Sequence, residues 1–220
     1  MALHKQLVEA CEKGDLNEVK WFINHEQVDP NEARNEKGET PLTLAVWYNH
    51  QTIVRYLIEQ AGANVNIAES GGYTALYLAC EKGYTDLIRY LVEEAGANVN
   101  KQKYTGATPL FVACQLGHLH VVQYLLQRGG ADINMACNDG KTPLYIASEK
   151  GRGSVVNYLL ECEGVDTEPH TRDGSTPLWI AAQNGHFLII QRLVEKGNDP
   201  NHRNFNGRTP LHVSCRQGHL

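Results

Sequence analysis

The sequence predicts an all-α repeat solenoid, and three observations carry that prediction. The triplet Thr-Pro-Leu, once with Ala in the middle, begins at Thr40, Thr74, Thr108, Thr142, Thr176 and Thr209, a 34-residue spacing that closes to 33 at the last step. Two glycine columns hold the same register: Gly14, Gly83, Gly117, Gly151, Gly185 and Gly218, with Asn49 in the second repeat, and then Gly62, Gly96, Gly130, Gly164 and Gly197. Between the columns run two apolar stripes per period, such as Leu110, Val112 and Ala113 followed by Val121, Val122, Leu125 and Leu126. A period of this length marks repeats that contact mainly their neighbours, since one helix pair cannot bury its apolar face alone.

In the first repeat, helices are expected from Leu3 to about Glu12 and from Leu16 to about Asn24. Glu18 stands where later repeats carry Ile53, Leu87, Val121, Val155 and Ile189, which suits a terminal cap with a polar flank. In the second repeat Thr40 caps the first helix and Pro41 occupies its first turn, where a missing N–H is tolerated. Asn49 then takes the left-handed position that glycine fills elsewhere. The second helix, about Thr52 to Gln60, buries Ile53, Val54, Leu57 and Ile58.

The third, fourth and sixth repeats follow the same plan. In the fifth, Gly151-Arg152-Gly153-Ser154 weakens initiation of the second helix, so a looser start is expected there. The seventh begins at Gly207 and stops after one helix, leaving Leu211 and Val213 without a partner helix and suggesting a boundary inside a longer protein. Because the register never breaks, residues 1–220 are read as one domain: a capping first repeat, six helix pairs and a truncated last repeat.

The formal net charge of −5 offers no basic footprint for nucleic acid or an anionic membrane surface. No apolar run approaches the roughly 18 residues of a membrane-spanning helix. The expectation is a monomer in the cytoplasm, with the nucleus also compatible. Cys11, Cys80, Cys114 and Cys215 share one position of the repeat and read as small buried side chains, neither disulfide framework nor metal cluster. No metal or cofactor is expected. No nucleophile and base set, and no phosphate-cradling glycine loop, points to an enzyme.

The Gly-x-Thr-Pro-Leu start, the Ala-Cys pair before Gly-His, the Val-Val-x-Tyr-Leu-Leu helix and the Gly-Ala-Asp-Ile-Asn exit of residues 106–134 resemble the ankyrin repeat. The resemblance implies helix-turn-helix repeats with projecting β-hairpin-like loops, and protein binding through hairpin tips and a concave row of first helices. It also implies that the connector asparagines Asn31, Asn66, Asn100, Asn134 and Asn201 brace the loops. Against the usual 33-residue period, an extra residue near Ala61, Ala95, Gly129 and Cys162 is expected to sit in a longer helix end or small bulge.

His50, His118, His186 and His219 recur after the first-helix cap and are read as structural, each hydrogen-bonding backbone across its helix turn. Trp21, Tyr56, Tyr90, Tyr124 and Tyr158 are read as packing between second helices. The resemblance carries partner contacts onto Glu39, Trp47, Tyr48, Tyr73, Glu81, Lys82, Tyr104, Gln115, Leu116, Lys141, Glu149 and Lys150, and in the same columns onto Ala107 and Ser175. Large rings at positions facing solvent are what interface hot spots favour. The function expected is therefore a non-catalytic scaffold or recognition module for a protein or peptide. The alternative is recognition of a nucleotide or short nucleic acid, for which the rings would serve as stacking platforms.

Overall fold

A computed structural model describes residues 2–219. Among the described residues all regular structure is helical, with thirteen helices and no strand. The chain divides into two compact units, one ending at Tyr104 and the other beginning at Thr105.

The N-terminal unit holds three helix pairs: α1 (Ala2–Lys13) with α2 (Leu16–Asn24), α3 (Pro41–Trp47) with α4 (Gln51–Glu59), and α5 (Ala75–Lys82) with α6 (Thr85–Glu93). The first helices α1, α3 and α5 pack side by side in one row, and each also packs on its own second helix. Leu7, Ile53, Leu57, Leu76, Ile88 and Leu91 are fully buried between the rows. Burial of each such side chain stabilises the fold by about 1.5–3 kcal/mol, so the spacing of apolar residues positions the rows.

The C-terminal unit repeats the plan with α7 (Pro109–Leu116) and α8 (Leu119–Gln127), α9 (Pro143–Glu149) and α10 (Gly153–Leu159), α11 (Pro177–Gln183) and α12 (Phe187–Glu195), then α13 (Pro210–Gln217). First helices α7, α9, α11 and α13 form its row. Leu211 is 63% exposed, whereas Leu178 in the same column is 1% exposed. Val213 departs from expectation. It is buried in a cluster with Tyr145, Trp179, Ile180 and Ala182, because α11 alone covers its side of α13.

The punctuation works as the residue types dictate. Thr40 Oγ1 accepts from the Thr43 N–H at 3.1 Å, and Thr108 Oγ1 from the Phe111 N–H at 3.1 Å, satisfying donors a helix start leaves unpaired. Asn49 adopts φ 59°, the left-handed conformation of Gly83 at 71° in the next repeat. The extra residue is absorbed in the helix exit. Ala63 N–H reaches back six residues to the Leu57 carbonyl, and Ala97 likewise to Leu91. In the sixth repeat, without the insertion, Asn198 N–H reaches back five residues, to Leu193.

Three expectations are corrected here. The second helix of the fifth repeat starts in register, with Val156 N–H bonded to the Arg152 carbonyl, and is instead shortened at its far end. There Cys162 N–H bonds only three residues back, to Leu159, a tighter turn that ends the α-helix. Cys215 is exposed, unlike Cys11, Cys80 and Cys114, because nothing packs on its side of α13. His50, His186 and His219 reach the preceding repeat and not their own turn: their Nε2 atoms each lie 3.1 Å from a carbonyl, of Glu12, Glu149 and Gln183 respectively.

The connectors are braced as the resemblance implied. Asn31 donates from Nδ2 to the Gly62 carbonyl at 3.0 Å and accepts the Asn64 N–H on Oδ1 at 2.7 Å. Asn66 repeats this with Gly96 and Asn98, and Asn134 with Gly164 and Asp166. Each amide thereby ties one repeat to the next. Glu168 replaces the asparagine in the fifth repeat and accepts the Asp199 N–H at 2.6 Å, but a carboxylate has no donor for the second bond.

Candidate functional site

The side chains carried from the resemblance gather most closely in the N-terminal unit. Trp47 ends α3 and Glu81 lies near the end of α5, so the packing of those two helices brings them to one face. The connectors add Glu39 and Tyr73, each closing a tight turn: Asn35 N–H bonds the Glu39 carbonyl at 3.2 Å and Glu69 N–H bonds the Tyr73 carbonyl at 3.0 Å. Together they line a pocket of about 240 Å³ with Thr43, Leu44, Leu78 and Glu69.

Its chemistry is mixed. Leu44 and Leu78 supply apolar surface, Trp47 and Tyr73 supply rings, and Glu39, Glu69 and Glu81 supply three carboxylates, with no cation among the lining residues. Burial, with Glu39 and Glu81 nearby, raises the Glu69 carboxyl above its ordinary range. Cations hold the neighbouring ring surfaces. Lys82 Nζ stands 3.4 Å from the Trp47 ring centroid, and Lys103 Nζ stands 4.4 Å from that of Tyr73 and 5.2 Å from that of Tyr77. Lys103 also donates to the Tyr73 hydroxyl at 3.2 Å.

Two other rings of the set lie outside the pocket. The Tyr48 hydroxyl donates to Glu12 Oε1 at 3.0 Å, which anchors that ring toward the first repeat. Tyr104 is 73% exposed beside the third-repeat connector, its backbone N only 2.7 Å from where a Cβ on Gly72 would stand. Gly72 has φ 81°, so glycine there permits both the turn and this approach.

In the C-terminal unit the predicted residues are more committed to one another. Lys141 Nζ pairs with Glu149 Oε2 at 2.9 Å, and Lys150 Nζ lies 3.5 Å from Glu149 Oε1. The Gln115 carbonyl accepts from Arg152 Nε at 3.0 Å, and Leu116 is exposed. Ala107 and Ser175 are corrections: both are buried, and the Ser175 hydroxyl is taken by Asp173 Oδ2 at 3.0 Å.

The sequence reading missed Glu69. Its column holds Asn35 and Asn204, whose side-chain oxygens accept connector N–H groups, as Asn35 Oδ1 does from Lys37 and Glu39 at 3.0 Å. The same column holds Lys103, Cys137 and Thr171, so it is variable, and nothing in it singled out Glu69. The ring ladder of second helices packs at Tyr56 and Tyr90, which are buried, and Tyr90 donates to Glu59 Oε1 at 3.0 Å with Arg55 4.0 Å from its ring centroid. Trp21 corrects the expectation, since it is 45% exposed and its ring meets Phe22 and His25 at the end of its own helix. Among the described residues no cluster of His, Cys, Asp or Glu could hold a metal ion, and no helix is long and apolar enough to cross a membrane.

Stacked helix pairs in a fixed register, with capped first helices presenting side chains along a row within each unit, define a repeat protein of the interaction type. The chain belongs to the ankyrin repeat family: a three-copy ankyrin repeat profile matches residues 7–103, 95–170 and 154–220. It is also similar to the crystal structure of the ankyrin repeat domain of Bcl-3, a member of the IkappaB protein family. That match has a TM-score of 0.80 and 32% sequence identity, and covers 94% of this chain and 92% of the other.

Proposed function

We propose that this chain is a non-catalytic protein-protein interaction module that holds a protein or peptide on its row of first helices and connector tips. The observation that carries this reading is the convergence of Glu39, Trp47, Tyr73 and Glu81 on one pocket of the N-terminal unit. These residues come from two helices and two connectors that pack for reasons of their own, while the side chains in question are not needed to fill the core. Rings held by rigid elements lose little entropy on binding, which suits them as anchors. Family membership supports the same class of function.

The rival reading, recognition of a nucleotide or short nucleic acid, needs positive potential beside the rings. Lys82 and Lys103 do stand over the rings, but the pocket itself is lined by three carboxylates, which would repel phosphate.

Affinity capture from a cell lysate tests the module. The wild-type chain is run beside Trp47→Ala/Tyr73→Ala/Tyr104→Ala, first checked for native helicity. A partner retained by the wild type and lost by the folded variant is the expected result. Equal retention by both would remove recognition from this face.

A further inference from the structure

We infer that the face around Arg172, Arg208 and Arg216, in the last repeats of the C-terminal unit, holds an acidic segment of the protein partner that presents aspartate or glutamate side chains. The inference rests on the interaction-module reading and names the chemistry that this unit selects.

The three arginines are exposed, and among the described residues none of their guanidinium groups forms an ion pair, a hydrogen bond or a ring contact. Register brings Arg208 and Arg216 together. They occupy the columns of Lys141 and Glu149, whose side chains meet at 2.9 Å in the fifth repeat. Where that repeat closes an ion pair, the seventh sets two like charges. Trp179 fixes the connector beside them, since its Nε1 donates to the Arg208 carbonyl at 3.2 Å. The same ring lines a pocket of about 500 Å³ with Lys141, Arg172 and Gln183. Phe205 links the Arg172 connector to the last one, because its N–H donates to the Asp173 carbonyl at 2.9 Å.

The nearby carboxylates are mostly engaged elsewhere. Asp173 accepts on Oδ1 from the Thr171 hydroxyl and the Ser175 N–H, and on Oδ2 from the Ser175 hydroxyl. Glu149 stands between Lys141 and Lys150. Asp139 lines the pocket and is the local opponent of Arg172, but residues 200–219 carry no aspartate or glutamate at all.

Each guanidinium presents a planar fork of donors that matches a carboxylate. A basic partner would be repelled by all three, and an aliphatic one would leave them unanswered. A nucleic-acid strand brings phosphates in unbroken succession, and Asp139, Glu149 and Asp173 interrupt the row on which they would fall. A peptide places its carboxylates singly. Its apolar residues can also cover Phe205, which is 74% exposed and shares a column with Arg172.

Pools of fluorescent random peptides with alternate positions fixed as glutamate, glutamine or lysine, passed over the immobilised full chain, test the assignment. The glutamate pool is expected to be retained and the other two to wash off. Arg208→Gln/Arg216→Gln should weaken retention of the glutamate pool about tenfold. Arg89→Gln/Arg128→Gln removes as much charge from α6 and the end of α8 and should leave retention unchanged. Circular dichroism on each variant confirms that the helices persist. Equal loss from the two double variants, equal retention of the glutamine pool, or retention of no pool would overturn the assignment. So would an oligothymidylate that binds as tightly as the glutamate pool. The lysate capture with the ring variant judges the module reading separately, so the two can fail independently.

Discussion

Lys82, near the end of α5, sets its ammonium 3.4 Å from the centroid of the Trp47 ring, which ends α3. The contact ties two successive first helices at their exposed ends and leaves the ring able to serve the pocket as well. A cation over an exposed indole contributes about 0.5–1 kcal/mol. A double-mutant cycle of Lys82→Met and Trp47→Leu, followed by urea denaturation, should give a coupling of that size. A coupling near zero would show that the pair contributes nothing to stability.

Glu69 gives the pocket a pH signature. Its carboxyl titrates above the ordinary range because of burial and the nearby Glu39 and Glu81. A carboxyl raised in the folded state contributes stability below its unfolded pKa, near 4.3, and loses that contribution as pH rises through the folded value. At neutral pH the charged form is therefore a liability. Glu69→Gln should raise the denaturation midpoint at pH 7, and the gain should disappear at about pH 3, where both side chains are neutral. A gain independent of pH would point to packing instead of charge.

Asn198 is buried, and neither its side-chain oxygen nor its nitrogen has a hydrogen-bond partner. Ala63, Ala97 and Ala131 hold the same position in earlier repeats. An unpaired buried amide costs about 1–3 kcal/mol. Asn198→Ala should stabilise the chain by about 1 kcal/mol, read as a higher urea midpoint with an unchanged denaturant slope.

Gly153 opens α10, and a Cβ built there meets nothing within 4 Å. Gly153→Ala should therefore stabilise by about 0.4–1 kcal/mol through lower entropy of the unfolded chain. Thermal denaturation should show a raised midpoint. No change would mean that the glycine's freedom is already restricted before folding.

The repeat plan was legible because each of its signals has one physical meaning. Threonine before proline supplies a cap, glycine or Asn49 supplies a left-handed turn, and the apolar stripes face one another across the pair. What a single repeat does not show is what its neighbour contributes. The histidine column was read as local, yet His50 reaches Glu12 in the previous repeat. Val213 looked unpartnered from its own repeat, yet α11 buries it beneath Trp179. In the same way Glu39, Trp47, Tyr73 and Glu81 could be chosen from columns. Glu69 entered only when packing of two repeats brought their connectors to the same pocket. The shortened end of α10 was missed because the glycines drew attention to its start, whereas the tight turn at Cys162 sets its length.

The most direct test of recognition on the N-terminal row of first helices is a calorimetric titration of a captured partner into wild type and into Trp47→Ala/Tyr73→Ala. Loss of a central ring from an interface costs about 2 kcal/mol or more, close to thirtyfold in affinity. The account predicts at least that loss, with helicity unchanged. Equal affinity for the two proteins would place the partner elsewhere and contradict it.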